Sequence, residues 1–215
     1  MFLRLHTLLT EGLVTKAGGQ RYRGLKRIFK LRGYLYLPPL MVMLFCAWNE
    51  YENDLIIWSL GLCFLGVGCL IRVWATKHIG KRIPRKYKER HKNHLVTTGP
   101  YRLVRNPLYV GNIVAMMGLC VLSELLWLMP IAFGYFSLLY SLVVRYEEHR
   151  LSALFGKEYA IYHEDVPRWI PRFSTIRKGN EADFTWFQSL RGELPGFAST
   201  SLMVFILLGK EIIGP

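Results

Sequence analysis

The sequence predicts an all-α fold: a polytopic integral-membrane helical bundle with a cytoplasmic helical extension. It has four spans, or five if the tail also crosses. Three observations predict it. Of 215 residues, 52% are hydrophobic, and they are gathered into blocks rather than spaced evenly. The blocks at residues 34–48, 55–75, 108–123 and 125–144 carry few or no charges, and a spanning helix needs roughly 20 apolar residues. The basic residues, finally, collect in the connections of one side only.

Taken in order, residues 1–33 form a basic cytoplasmic or interfacial segment. The apolar run of residues 1–14 is broken by Arg4, His6 and Glu11, which suits a short interfacial helix better than a signal peptide. Residues 34–172 form the membrane domain. In its first block Pro38-Pro39 removes two backbone donors and predicts a bend. The second block carries Gly61, Gly66 and Gly68 among Leu, Val and Phe. A dinucleotide loop would need a strand before such glycines, whereas mid-helix they let a neighbouring helix approach. A long basic loop, residues 76–107, follows. The third and fourth blocks form a hairpin through Ser123-Glu124. Leu151, Leu154 and Phe155 then recur at helical spacing, so the fourth helix continues over 145–162. Val166-Pro-Arg-Trp-Ile-Pro171 ends it. In the tail, residues 173–215, the apolar run 195–209 is short for a crossing and reads as interfacial or re-entrant.

The net charge is +13, from 28 Lys and Arg against 15 Asp and Glu. Eight basic residues lie in 1–33, ten in 76–107 and eight in 145–193. The connections at 49–54 and 123–124 have none. With four spans every basic segment falls on one side, which places both termini and the long loop in the cytoplasm. A basic excess also suits nucleic-acid binding. These charges follow the topology instead, so anionic lipid headgroups are the nearer partner and no nucleic-acid partner is expected. Cys46, Cys63, Cys69 and Cys120 all lie inside proposed spans without a CxxC pair or Cys/His ligand spacing. Neither a disulfide framework nor a metal site is expected.

Two polar clusters stand out at the boundary. In the first, Gly99-Pro100 forces a turn that presents Tyr101, and Arg105-Asn106-Pro107 makes a second corner. Pro107 suits the first turn of the third span, with Asn106 as its N-cap. That helix start offers unpaired N–H groups and a positive dipole end able to hold a carboxylate or polar headgroup. The competing account is an ordinary cap, with Tyr101 and Tyr109 in an aromatic belt. In the second cluster Glu147 and Glu148 follow the fourth block. Adjacent helical residues point about 100° apart, so one carboxylate faces the bundle and the other its edge. Glu147 shares a face with Leu151 and Leu154, read as the buried side. A buried carboxylate needs a positive partner: Arg145, Arg105 or a bound cation. A plain salt bridge to the basic loop would explain the cluster equally well.

Together the motifs Gly99-Pro-Tyr-Arg-x-x-Arg-Asn-Pro-x-Tyr-x-Gly111, Glu147-Glu-x-x-Leu-x-x-x-Phe-Gly-x-Glu-Tyr-x-x-Tyr162 and Val166-Pro-x-Trp-Ile-Pro171 resemble the isoprenylcysteine carboxyl methyltransferase family. That family is similar in turn to the phospholipid N-methyltransferases. The likeness covers about residues 70–172, which makes that stretch the expected catalytic core. It implies an integral-membrane enzyme that uses S-adenosyl-L-methionine without a Rossmann domain. By position it implies that His94, Leu95 and Val96 line the cofactor site, with Tyr101, Arg105, Asn106, Pro107 and Tyr109 around it. Glu147 would bind a polar group of the cofactor and, with Arg145, act in catalysis; Arg145 and Glu148 would meet the substrate. One departure is Asn106, where eukaryotic isoprenylcysteine enzymes have His. Asn can hydrogen-bond but does not titrate near neutral pH, so no general base is expected there.

The expected partners are membrane lipids and an amphiphilic or prenylated acceptor, with no metal. The expected location is the bacterial inner membrane with a cytoplasmic N-terminus. Two rival readings are a membrane-embedded NADPH-dependent reductase of the sterol type and a non-enzymatic scaffold whose polar clusters are salt bridges.

Overall fold

The computed structural model describes residues 24–46, 54–79, 95–172 and 185–213, and among them every regular element is helical. Helix α1 (Gly24–Leu31) leads through a 3-10 turn at Tyr34–Tyr36 into α2 (Leu37–Phe45). The two segments are bent by 72°. The bend expected at Pro38-Pro39 therefore comes earlier, around Arg32 and Gly33. The prolines instead sit in the first turn of α2, where a missing N–H costs nothing because that group has no intrahelical partner.

Four further helices complete the bundle: α3 (Asp54–Ile79), α4 (Pro107–Leu122), α5 (Leu128–Phe155) and, after the short α6 (Lys157–Asp165), α7 (Trp186–Ile213). By length and composition α3, α5 and α7 could each cross a membrane, and the bent α1–α2 pair makes a fourth candidate. Helix α4 has only 16 residues, roughly 24 Å of rise against a hydrocarbon core of about 30 Å. Leu60, Phe64, Leu70, Ile131, Phe133, Leu138, Leu202 and Phe205 are all exposed. So much apolar surface is a liability in water and the ordinary lining of a protein solvated by lipid. This is the construction of an integral membrane protein.

Glycines set the closest helix contact. A Cβ on Gly68 would lie 2.5 Å from the Ala115 nitrogen, and one on Gly118 would lie 2.7 Å from both the Gly61 oxygen and the Leu65 nitrogen. Helices α3 and α4 thus meet backbone to backbone, as small residues permit. The expectation for Gly61 and Gly68 is met, whereas Gly66 faces open space. Helix α5 closes the other side of α4, setting Tyr140 against Tyr109 with ring centroids 4.6 Å apart and the rings tilted by 33°. At the α4–α5 hairpin Glu124 adopts φ 58°. Helix α5 ends at Gly156, whose φ of 51° breaks the continuous helix expected over 145–162 into α5 and α6.

The tail differs from the interfacial or re-entrant segment expected for 195–209. Helix α7 has 28 residues and runs antiparallel along α3. The Lys77 ammonium lies 4.3 Å from the Trp186 ring centroid at one end. At the other, Trp58 Nε1 donates to Glu211 at 3.1 Å. The apolar run looked short because Arg191 and Glu193 interrupt it, yet Glu193 is buried against α3. At the end marked by Glu211, carboxylate oxygens of Asp54, Glu124 and Glu211 lie within 4.8 Å of one another. That acidic trio is an arrangement of metal-ligand type that sequence spacing did not reveal.

Candidate functional site

The site lies at the opposite end, where α3, α4, α5 and α6 meet the turn at Gly99–Arg102. Gly99 has φ +59°, and a Cβ there would strike the His78 ring, so both backbone and space demand glycine. His78 Nδ1 lies 2.9 Å from Thr98 Oγ1, which ties the turn to α3. Tyr101 is buried in this turn. Its carbonyl accepts a 2.7 Å hydrogen bond from the Tyr162 hydroxyl of α6. Its own hydroxyl is buried and has no hydrogen-bond partner among the described residues. Burial, reinforced by Tyr162, Glu147 and Glu193, pushes the Tyr101 pKa well above the ordinary tyrosine value. Tyr101 is therefore a neutral donor held dry, a costly state unless something accepts from it.

The Asn-Pro corner follows. Pro107 occupies the first turn of α4 and Asn106 the cap position, as expected. The Asn106 side chain, however, makes no cap hydrogen bond. Its amide nitrogen reaches the Arg168 carbonyl at 3.5 Å instead. The Asn106 backbone carbonyl accepts from the Tyr109 and Val110 N–H groups at 3.1 and 3.2 Å, the first intrahelical bonds of α4. Arg105 closes the corner onto the chain after α6: its backbone N–H donates to the Pro167 carbonyl at 2.9 Å, and its guanidinium donates to the Val166 carbonyl at 3.0 Å and to the His163 carbonyl.

The two carboxylates divide as helix geometry requires. Glu147 accepts from the Tyr109 hydroxyl at 2.9 Å, and Arg32 and Arg150 are the basic residues whose charges act on it. Glu148 lies 3.1 Å from the Arg105 guanidinium and is forked by Arg168 through Nε at 3.1 Å and through Nη2. Its place is in an Arg–Glu–Arg clamp that pins the corner to the segment after α6. Arg145, expected beside Glu147, is exposed. Two positions along a helix turn the side chain by about 200°, which carries Arg145 away from that carboxylate. Leu154, expected on the buried face, is exposed as well.

Of the residues singled out by sequence, Tyr101, Arg105, Asn106, Pro107, Tyr109, Glu147 and Glu148 gather in one region. Leu95 packs on the Tyr159–Tyr162–Val166 cluster, and Val96 is half-buried beside it in sequence. His94 lies outside the described residues.

Sequence reasoning missed a second polar group deeper in the bundle. Arg72 of α3 donates to Asn112 of α4 and to Glu193 of α7, and Thr76 donates to the other Glu193 oxygen at 2.8 Å. The Tyr36 and Tyr140 hydroxyls are bonded to each other beside Asn112. Arg72 alone in an apolar block was the available signal, since an intramembrane charge calls for a named partner. That partner lay in the tail.

The model of the phospholipid methyltransferase family matches residues 56–158. The nickel-cobalt-cadmium resistance protein NccN of Alcaligenes xylosoxydans xylosoxydans is 34% identical over 152 residues, which is 65% of this chain and 67% of that relative. The cobalt-zinc-cadmium resistance protein CzcN of Cupriavidus metallidurans is 31% identical over 155 residues, 66% of this chain and 68% of the relative. Protein-S-isoprenylcysteine O-methyltransferase B of Arabidopsis thaliana is 29% identical over 119 residues, 53% of this chain and 58% of the plant protein. No solved structure matches. The matched span contains the glycine-paired α3 and α4, the Asn-Pro corner and the diacid, and with these likenesses the chain belongs to the phospholipid methyltransferase family.

Proposed function

We propose that this protein is an S-adenosyl-L-methionine-dependent methyltransferase acting on an amphiphilic acceptor, a lipid or an isoprenylcysteine-type carboxylate, at the cytoplasmic face of a bacterial inner membrane. The observation that carries this reading is the Tyr101 hydroxyl, buried and without a hydrogen-bond partner among the described residues, in the turn that leads to α4, whose Tyr109 is bonded to Glu147. A ligand with acceptor atoms, a carboxylate and a cationic centre fits that set. Tyr101 would donate to it, the positive dipole end of α4 would favour its carboxylate, and Glu147 would face its positive charge. S-adenosyl-L-methionine, when bound, supplies a methyl already activated on sulfur. The protein's own task is then alignment and exclusion of water. Tyr101 and Glu147 orient, while the Arg105–Glu148–Arg168 clamp holds the corner in place.

Asn106 offers no group that titrates near neutral pH. An acceptor that is already ionised, such as a carboxylate, needs no base. The basic segments 1–33, 76–107 and 145–193 support a cytoplasmic mouth. Two relatives are named for metal resistance, which describes a phenotype; modification of a membrane component is compatible with it.

The test is incubation of the purified full-length protein with methyl-labelled S-adenosyl-L-methionine and a total membrane lipid extract. Label in the organic phase is the expected result, and its release by mild base marks an ester. No transfer to any lipid or prenylated fraction, with tight NADPH binding in its place, would favour the reductase.

A further inference from the structure

Arg72 and Glu193 are unusual in three respects. Both lie inside long apolar helices, where an ion pair is expensive and no more stabilising than well-packed apolar side chains. The pair is also more elaborate than helix packing needs: Arg72 has Asn112 on one nitrogen and Glu193 on another, and Glu193 has Thr76 on its second oxygen. Thirdly, the Arg72 side chain is flanked by glycine at its stem and at its tip. A Cβ on Gly111 would meet its stem at 2.9 Å, and one on Gly196 would meet Nη2 at 3.5 Å. Glu193 is fully buried while the Arg72 side chain keeps 18% exposure, so the cation is the member still open to its surroundings.

On α7 the apolar Leu190, one turn before Glu193 and on the same face of the helix, is exposed. Arg72 bonds Asn112 and packs on Gly111, the α4 residues three and two positions after Tyr109, which brings the pair within a turn of the region assigned above to the methyl donor. We propose that Arg72 is the docking point for the anionic headgroup of the amphiphilic acceptor, and that Glu193 of α7 holds that place when no acceptor is bound. The acceptor's carboxylate or phosphate takes over the Arg72 and Thr76 hydrogen bonds while its chain lies along the α3–α7 seam. This rests on the methyltransferase reading for its purpose, though not for its test.

Full-length protein in phosphatidylcholine nanodiscs is titrated with three chain-matched probes: dodecanoate, dodecyl phosphate and dodecylamine. Binding is read from tryptophan fluorescence and thermal shift. Glu193→Gln keeps the shape of the pair and weakens the resident competitor, so binding of an anionic probe should tighten by about tenfold, the size of one charge contact. The double variant Arg72→Gln with Glu193→Gln avoids a buried unpaired charge and should lose that binding while leaving dodecylamine unchanged. Preference for dodecanoate over dodecyl phosphate identifies a carboxylate headgroup, and the reverse a phosphate. Equal affinities of wild type and both variants for the anionic probes would overturn the proposal. So would a double variant that loses affinity for all three probes alike, because the pair would then be a packing device. S-adenosyl-L-methionine binding is measured in parallel. Its absence from the wild type would defeat the methyltransferase reading alone.

Discussion

Gly68→Ala probes how closely the site depends on the backbone contact beneath it. The added methyl would lie 2.5 Å from the Ala115 nitrogen, 2.7 Å from the Gly111 oxygen and 2.8 Å from the Ala115 Cβ. Two of these neighbours are backbone, and none is a flexible side-chain end. Restoring ordinary contact parts α3 and α4 by roughly 0.7–0.9 Å in a close-packed interior. Overpacking of this kind costs about 1–3 kcal/mol. For a chain of this length that corresponds to roughly 2–12 °C in melting temperature. The same shift moves Arg72, one turn along α3, away from Asn112 of α4, so acceptor affinity should fall as well. Gly66→Ala is the internal control, because nothing lies within 4 Å of a Cβ there. Melting of both variants in one detergent, followed by tryptophan fluorescence, is the assay. Equal melting temperatures for Gly68→Ala and Gly66→Ala would refute the close-contact argument.

Further outcomes follow from the site. Tyr109→Phe removes a 2.9 Å hydrogen bond to Glu147, and loss of a bond to a charged group is worth about 1.5–3 kcal/mol; calorimetry should show donor affinity weakened at least tenfold. Glu148→Gln loosens both arginines of the clamp. A fully buried pair would cost about 3–5 kcal/mol, and partial exposure of Arg168 reduces this to about 2 kcal/mol, read as a lower melting temperature. Gly99→Ala meets both a positive φ and the His78 ring. It should lose about 1–2 kcal/mol from the backbone alone, with donor affinity falling alongside stability. In alkali the tyrosines control the outcome. Burial, then the Glu148 charge, pushes Tyr159 from 10.0 up to about 12, and Tyr101 also lies above its ordinary value. Groups held neutral in this way contribute fully below pH 10 and progressively less as pH rises through their folded values. A stability profile that is flat to about pH 10 and then declines is expected, and Tyr159→Phe should flatten the decline.

Much of this architecture could be read from residue order, because the bilayer imposes simple rules on it. Apolar blocks gave α3 and α5, and glycine within α3 gave the close pairing with α4. The Asn-Pro corner and the diacid came from short motifs whose local geometry is nearly self-contained: Pro107 must begin a helix, and Glu147 and Glu148 must diverge. Illegible were the features that depend on distant partners. Arg191 and Glu193 made the tail look too polar to run the full bundle, since the residue that accommodates Glu193 lies 121 positions away. Arg145, to which the resemblance assigned a catalytic and substrate role, is exposed, because helix rotation turns it away from Glu147. Pro38-Pro39 predicted a kink and instead started a helix, because a proline's effect depends on where the helix begins.

The central claim is that Tyr101 and Glu147 bind S-adenosyl-L-methionine at the start of α4. Isothermal titration of the wild type, Tyr101→Phe and Glu147→Gln with S-adenosyl-L-methionine and with S-adenosylhomocysteine tests it most directly. Saturable one-to-one binding of both ligands to the wild type is expected. Tyr101→Phe should weaken both, since it removes the only donor on that ring, and Glu147→Gln should weaken the cationic methyl donor more than its neutral product. Wild-type heats no larger than ligand dilution, or variants that bind as tightly as the wild type, would contradict it.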